Sequence, residues 1–214
     1  MKTQDSASQA EMTPASARQM LEEGNARFVA QSMTSRDLAA QVQATSGGQW
    51  PFAAILGCID SRVPPELVFD QGLGDLFSVR IAGNFANTDI LGSLEFACKV
   101  AGSKLVVVLG HKACGAVKGA CDSVELGNLT SMLGKLQPAV AAVAEPADPA
   151  QRTSANGDFV QAVAERNVHM TVAAIREQSE VLRTLEAEGA IAIVGAMYDI
   201  GSGAVTFLEE SAIG

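Results

Sequence analysis

The hydrophobic pattern is dominated by two unbroken apolar runs, each ending abruptly in polar chemistry. Phe52 to Cys58 reads FAAILGC, followed by Ile59, Asp60, Ser61 and Arg62. Lys104 to Gly110 reads KLVVVLG, followed by His111, Lys112, Ala113 and Cys114. Continuous apolar runs of this length predict strands covered on both faces, the pattern of central parallel strands. Further strands are predicted over Asp75–Ile81 and Ala190–Tyr198. A tight turn at Gly201-Ser202-Gly203 leads into Val205–Phe207, an antiparallel edge strand. Helical periodicity fills the intervals. Thr13-Pro14 supplies an N-cap and a first-turn proline for a helix carrying Met20, Leu21, Phe28 and Val29. Helices are also predicted over Ser35–Ala44, from the prolines at 64 and 65 through Phe69, over Ile90–Val100 and over Cys114–Cys121. A helix over Leu129–Val143 should kink or break at Pro138, and two more cover Asp158–Gln178 and Ser179–Glu188. Residues 144–157 form a Pro/Ala/Asp loop.

The predicted fold class is therefore α/β: a central, mostly parallel sheet of four parallel strands plus an antiparallel edge strand, flanked by helices. A chain of 214 residues supports one substantial core, so a single domain over residues 1–214 is expected. The polar, Ser/Gln-rich residues 1–12 are expected to be disordered. A net charge of −9 argues against nucleic acid and anionic membrane surfaces as partners. No apolar run reaches membrane-spanning length.

In an open α/β sheet, ligands bind at the carboxyl ends of the strands. The two long runs deliver Cys58, His111 and Cys114 to that edge. Two thiolates and one imidazole suit Zn2+, and three protein ligands leave a fourth position for water or substrate. Taken singly, each cysteine would read as a small buried hydrophobe and His111 as a satisfied loop histidine. The constellation outweighs that, because the chain has only two histidines and one lies three residues before a cysteine at a strand terminus. The second, His169, reads as a helix-face histidine. Cys98 and Cys121 read as buried spacers, since four irregularly spaced cysteines make no disulfide framework. Cysteines used on metal point to a reducing compartment, hence the cytoplasm; the periplasm is the alternative if a targeting segment has been removed.

Cys58-Ile59-Asp60-Ser61-Arg62 resembles the CxDSR motif of β-class carbonic anhydrases, and His111-Lys112-Ala113-Cys114-Gly115 resembles their HxxCG motif. The similarity spans roughly Leu21 to Phe207 and includes Gln49 and the Arg80-Ile81-Ala82-Gly83-Asn84 segment. The resemblance implies zinc-dependent, reversible hydration of CO2 to bicarbonate and a proton. It implies one zinc per chain on Cys58, His111 and Cys114, with Asp60 and Arg62 as the catalytic pair. Asp60 would be a fourth ligand only in a closed state. Gln49, Phe77, Phe96 and Gly115 would be substrate-binding, with Gln49, Phe77 and Phe96 supplied by a neighbouring subunit. Phe96 falls where some members carry Tyr. A homodimer or a dimer of dimers is implied, with the N-terminal helices packing on the partner. Some members hold bicarbonate in a second pocket built on Trp, Arg and Tyr. Here the Trp position is Ile55, with Arg80 and Tyr198 candidates for the other two, so that pocket is not expected. Hydrolysis of CS2 or COS on the same fold is the nearest alternative activity. A non-catalytic zinc-binding or thiol-redox protein is the alternative of another class, and an intact Asp60–Arg62 pair argues against it.

Overall fold

The computed structural model describes residues 3–209. The first two residues of the stretch expected to be disordered lie outside this range. So do both ends of the expected 1–214 domain. The elements in chain order are α1 (Ser6–Glu11), α2 (Pro14–Val29), α3 (Leu38–Thr45), β1 (Ala53–Gly57), α4 (Pro65–Val68), β2 (Leu76–Arg80) and α5 (Thr88–Glu95). A π-helical turn over Phe96–Val100 extends α5, and β3 (Leu105–His111), α6 (Gly115–Cys121), α7 (Gly127–Gly134) and α8 (Gln137–Ala142) follow. A short 3-10 turn over Pro149–Gln151 precedes α9 (Gly157–Gln178), α10 (Glu180–Ala187), β4 (Ala192–Tyr198) and β5 (Val205–Phe207).

The five strands form one sheet in the order β2-β1-β3-β4-β5. The first four run parallel, and β5 pairs antiparallel with β4 through Ala196↔Phe207 and Tyr198↔Val205. Every residue of β1 and β3 is buried, as unbroken apolar runs demand. The pleat divides their side chains between two cores. Ala54, Leu56, Cys58, Val106 and Val108 pack with Val160, Val163, Val168, Val172 and Ile175 of α9. Ala53, Ile55, Leu105, Val107 and Leu109 pack with Ala17 and Leu21 of α2 and with Val68 and Phe69. The inner face of α2 is thus committed to its own sheet. Its end is tied down by Asn25, whose amide donates to the carbonyls of Val68 (3.0 Å) and Gly203 (2.9 Å) and accepts from Val205 N–H (2.8 Å).

Two expectations need correction. The polar N-terminus is not featureless: Ser6–Glu11 is a helix with a reciprocal cap between Asp5 and Ser8. Gln9 is buried, and its amide donates to the carbonyls of Pro51 and Ala101, both at 2.8 Å. Two bonds from one glutamine to distant backbone fasten a segment whose composition alone gives no reason to fold. The helix expected from Ser35 is α3 and starts at Leu38, because Asp37 is the residue that caps it, accepting from Ala40 N–H at 3.0 Å. Of the kink or break expected at Pro138, the structure shows a break: the proline sits in the first turn of α8, where a missing N–H costs nothing. Among the described residues, no helix is long and apolar enough to cross a membrane.

Candidate metal centre

The carboxyl ends of β1 and β3 bring Cys58, His111 and Cys114 together, with one ligand atom of each within 4.8 Å of the others. All three are buried. Between His111 and Cys114 the chain turns sharply at Ala113, whose φ of 54° is left-handed. That turn lets a strand residue and a helix N-cap residue face the same point. The two sulfurs are 3.9 Å apart, and all four cysteines are free. Two thiolates each ~2.3 Å from a tetrahedral zinc stand about 3.8 Å apart, so the spacing fits the ion. His111 Nδ1 donates to the Lys112 carbonyl at 3.0 Å, which leaves the Nε2 lone pair free. That Nε2 is buried without a hydrogen-bond partner. A buried acceptor left unpaired beside two thiols is costly unless a cation completes it.

The electrostatics agree. The Cys58 thiol is held down to about 4, chiefly by its hydrogen bond with the Cys114 sulfur, against burial and with help from His111 and the Gly83 N–H. Cys114 is pushed up correspondingly, by Cys58 and by burial. A divalent soft cation bound between the two sulfurs would keep both thiolates ionised. Cys98 and Cys121 behave as the expected inert spacers: burial pushes their thiols up to about 12 and about 11. His169, partly buried on α9, stands outside the metal-capable group.

Asp60 and Arg62 flank the triad. Arg62 donates from Nε to Asp60 Oδ1 at 2.9 Å and from Nη2 to Oδ2 at 2.7 Å, and its backbone N–H adds a bond to Oδ1 at 3.0 Å. These bonds hold the Asp60 carboxyl well below the usual carboxylate range. Asp60 Oδ2 is 3.9 Å from His111 Nε2, so the carboxylate stands beside the ligand cluster while paired with arginine.

A cavity of about 300 Å3 opens onto Cys58 and Asp60. Gly115 lines it, and so do Leu129, Met132 and Leu133 of α7, which sequence reasoning did not single out. Their only signal was helical periodicity, which any core helix shares. Gln49, Phe77 and Phe96 are not brought to this cavity by their own chain. Gln49 precedes the amino end of β1, whereas Cys58 follows its carboxyl end. The Phe77 and Phe96 rings meet edge to face at 6.1 Å and line a separate depression of about 740 Å3 with Arg80.

The contacts made by the turn after β2 are the other part the sequence did not expose. Gly83, with φ 83°, donates its N–H to Cys58 Sγ at 3.4 Å. Its carbonyl accepts from Asn167 Nδ2 of α9 at 2.8 Å. The clue to Asn167 was a polar residue among the buried positions of α9, which must find a partner.

Comparison with known proteins agrees with this geometry. The family model described as carbonic anhydrase matches residues 53–205. Carbonic anhydrase 2 of Mycobacterium tuberculosis is 39% identical over 191 residues, covering 89% of this chain and 90% of the relative. The carbonic anhydrase of Mycolicibacterium smegmatis is 36% identical over 195 residues, covering 90% and 92%. Among solved structures, a β-carbonic anhydrase of Aspergillus fumigatus superposes with a TM-score of 0.68 at 25% identity, covering 92% of this chain and 91% of that one. A tetrameric β-carbonic anhydrase of Sordaria macrospora superposes with a TM-score of 0.65 at 25% identity, covering 79% and 90%. With its Cys-His-Cys cluster at the ends of two parallel strands and this similarity over most of its length, the chain belongs to the β-class carbonic anhydrases.

Proposed function

We propose that the protein is a zinc enzyme that reversibly hydrates CO2 to bicarbonate and a proton, with Cys58, His111 and Cys114 as the metal ligands and Asp60 and Arg62 as the catalytic pair. The observation that carries this reading is the buried triad with an unpartnered His111 Nε2, set 3.9 Å from an arginine-paired carboxylate. Zinc in such a set supplies Lewis-acid activation of water near neutral pH.

The remaining work falls to the chain. The Lys112 carbonyl fixes the His111 tautomer, and the Gly83 N–H stabilises negative charge on the Cys58 sulfur. Asp60, kept ionised by Arg62, accepts a hydrogen at Oδ2 and so orients the attacking oxygen. Arg62 holds that carboxylate through two parallel N–H···O bonds, a geometry lysine does not reproduce. The apolar wall of Ile59, Ala116, Leu129, Met132 and Leu133 admits a small neutral molecule and offers no cation to hold a larger anion. A purely structural zinc site would need neither Asp60 nor Arg62.

The proposal extends to the assembly: one domain per chain, acting as a homodimer or dimer of dimers. Gln49, Phe77 and Phe96 would then serve the partner's substrate pocket. Support comes from their not lining their own chain's cavity and from the exposed apolar surface around Phe96 (50% exposed) and Val100 (71%). Four free thiols favour the cytoplasm.

Metal analysis and stopped-flow CO2 hydration test the reading. One zinc per chain, with hydration reduced in Asp60→Asn at unchanged zinc content, is the expected result. A zinc-loaded protein that does not hydrate CO2 would overturn it, and turnover of CS2 or COS instead would select the alternative substrate.

A further inference from the structure

We propose that Arg80 is a positioning residue that holds the loop carrying Cys58 and Asp60 in its working conformation; this rests on the hydration reading above. The end of β2 grips residues 57–60 with four donors. Two are backbone: Ile81 N–H to the Gly57 carbonyl at 3.1 Å and Gly83 N–H to Cys58 Sγ at 3.4 Å. The other two come from one side chain. Arg80 Nε donates to the Cys58 carbonyl at 2.9 Å and Nη2 donates to the Asp60 carbonyl at 2.6 Å. Its guanidinium therefore brackets the peptide that joins a metal ligand to the carboxylate beside the metal site.

That loop has little else to hold it. Ile59, its central residue, is 61% exposed, so burial does not fix the backbone there. The Asp60 carbonyl also accepts from Val63 N–H at 3.0 Å, so Arg80 closes a small network around the turn. Charge-assisted bonds are about twice as strong as neutral ones, and a rigid fork can meet two carbonyls at once. Without the fork, only the Val63 N–H remains on the Asp60 carbonyl and none of the Arg80 bonds restrains the Cys58 carbonyl, so the Asp60 carboxylate, still paired with Arg62, is less fixed relative to His111. Arg80 also lines the depression that holds Phe77 and Phe96. The same side chain thus touches the metal loop and an exposed aromatic face, linking the loop's position to whatever covers that face. Two of the Arg80 donors are thereby engaged with backbone carbonyls.

The test uses the full-length, zinc-loaded protein and its Arg80→Met and Arg80→Lys variants. Three quantities are followed: steady-state CO2 hydration, amide hydrogen exchange over residues 59–63, and thermal stability with zinc content. Arg80→Met should lower kcat by about ten- to a hundredfold, the scale of a displacement near 1 Å at a reacting group, with KM close to wild type. The Arg62 and Val63 amides, both bonded to Asp60, should exchange faster. Arg80→Lys, which can reach one carbonyl, should recover part of both effects. Wild-type kcat and exchange in Arg80→Met would overturn the proposal, as would a loss of activity matched by loss of zinc or of folded protein. If Arg80→Met does not fold, wild-type exchange in folded Arg80→Lys overturns it and faster exchange supports it. A wild-type protein that fails to hydrate CO2 would remove the hydration reading, while the exchange comparison would still decide whether Arg80 holds the loop.

Discussion

Replacing Gly83 by alanine tests whether the turn after β2 holds the metal centre together. Gly83 sits at φ 83°, where an L side chain is strained by about 1–2 kcal/mol. A Cβ there would also lie 2.8 Å from Leu136 Cδ1 and 3.1 Å from Cδ2, and Leu136 is fully buried in a small cluster with Phe85, Ala120 and Leu133. Overpacking of that kind costs about 1–3 kcal/mol, so the total loss should be about 2–5 kcal/mol. The shifted backbone would carry the Gly83 N–H away from the Cys58 sulfur. Losing such an outer partner typically weakens metal binding by about 10- to 100-fold. Urea denaturation with and without zinc measures the first effect, and competition with a chromophoric chelator measures the second. Asn167→Ala provides the independent arm. It adds no Cβ at the turn but removes the donor to the Gly83 carbonyl, so it should weaken zinc binding in the same direction. Gly83→Ala and Asn167→Ala proteins that both bind zinc with wild-type affinity would refute the role of this turn. A stability change within about 0.5 kcal/mol for Gly83→Ala would refute the steric part.

Two further predictions concern folding. Asp70 is buried, which alone would raise its carboxyl, but hydrogen bonds from Arg27 (2.6 Å), Arg36 and Thr34 hold it at about 2. A folded value below the unfolded one gives stability that is present above about pH 4 and lost as pH falls toward 2. The amount is about 2.5 kcal/mol at 1.36 kcal/mol per pKa unit. Asp70→Asn should therefore lower the urea midpoint at neutral pH and flatten the acid limb; equal acid dependence in both proteins would contradict the assignment. Ala113 holds a left-handed φ of 54° between two metal ligands. Ala113→Gly should relieve that strain against a larger unfolded-state entropy, a net gain of about 0.5 kcal/mol at unchanged zinc stoichiometry, read by thermal denaturation. A clear loss of stability would show that Ala113 is held by packing instead.

The parts of this molecule legible from sequence are those whose cause is local. The runs through Leu56 and Val108 had to be central strands because no other element buries both faces of so short a segment. The cysteines and the histidine at their ends followed, since polar chemistry at a strand terminus lies at the sheet edge where ligands bind. Thr13-Pro14 announces its helix by the cap it forms. What stayed hidden depends on partners far along the chain. Gln9 folds the polar N-terminus by reaching carbonyls 42 and 92 residues away. Nothing in a Ser/Gln-rich segment announces such a reach.

The same distinction explains why the metal ligands were readable and their support was not. Cys58, His111 and Cys114 are chemically distinctive, and their spacing carries the information. Gly83, Asn167 and Arg80 act through ordinary hydrogen bonds whose meaning lies in the acceptor: a sulfur, a turn carbonyl, and the carbonyls on either side of Ile59. Gly83-Asn84 shows in the sequence as a turn, but not that the turn aims an N–H at a thiolate 25 residues earlier. β2 is one of the two edge strands of the sheet, and its contact with the end of β1 runs from its last residue, Arg80, on into Ile81 and Gly83. The parallel register that places Gly57 opposite Arg80 therefore also places the donors opposite Cys58. A one-residue slip in that register would exchange the faces of β2 and take the Arg80 fork off the metal loop. Positioning of the candidate metal centre is in this sense a property of strand pairing, with the sheet acting as the template for chemistry that begins one residue beyond it.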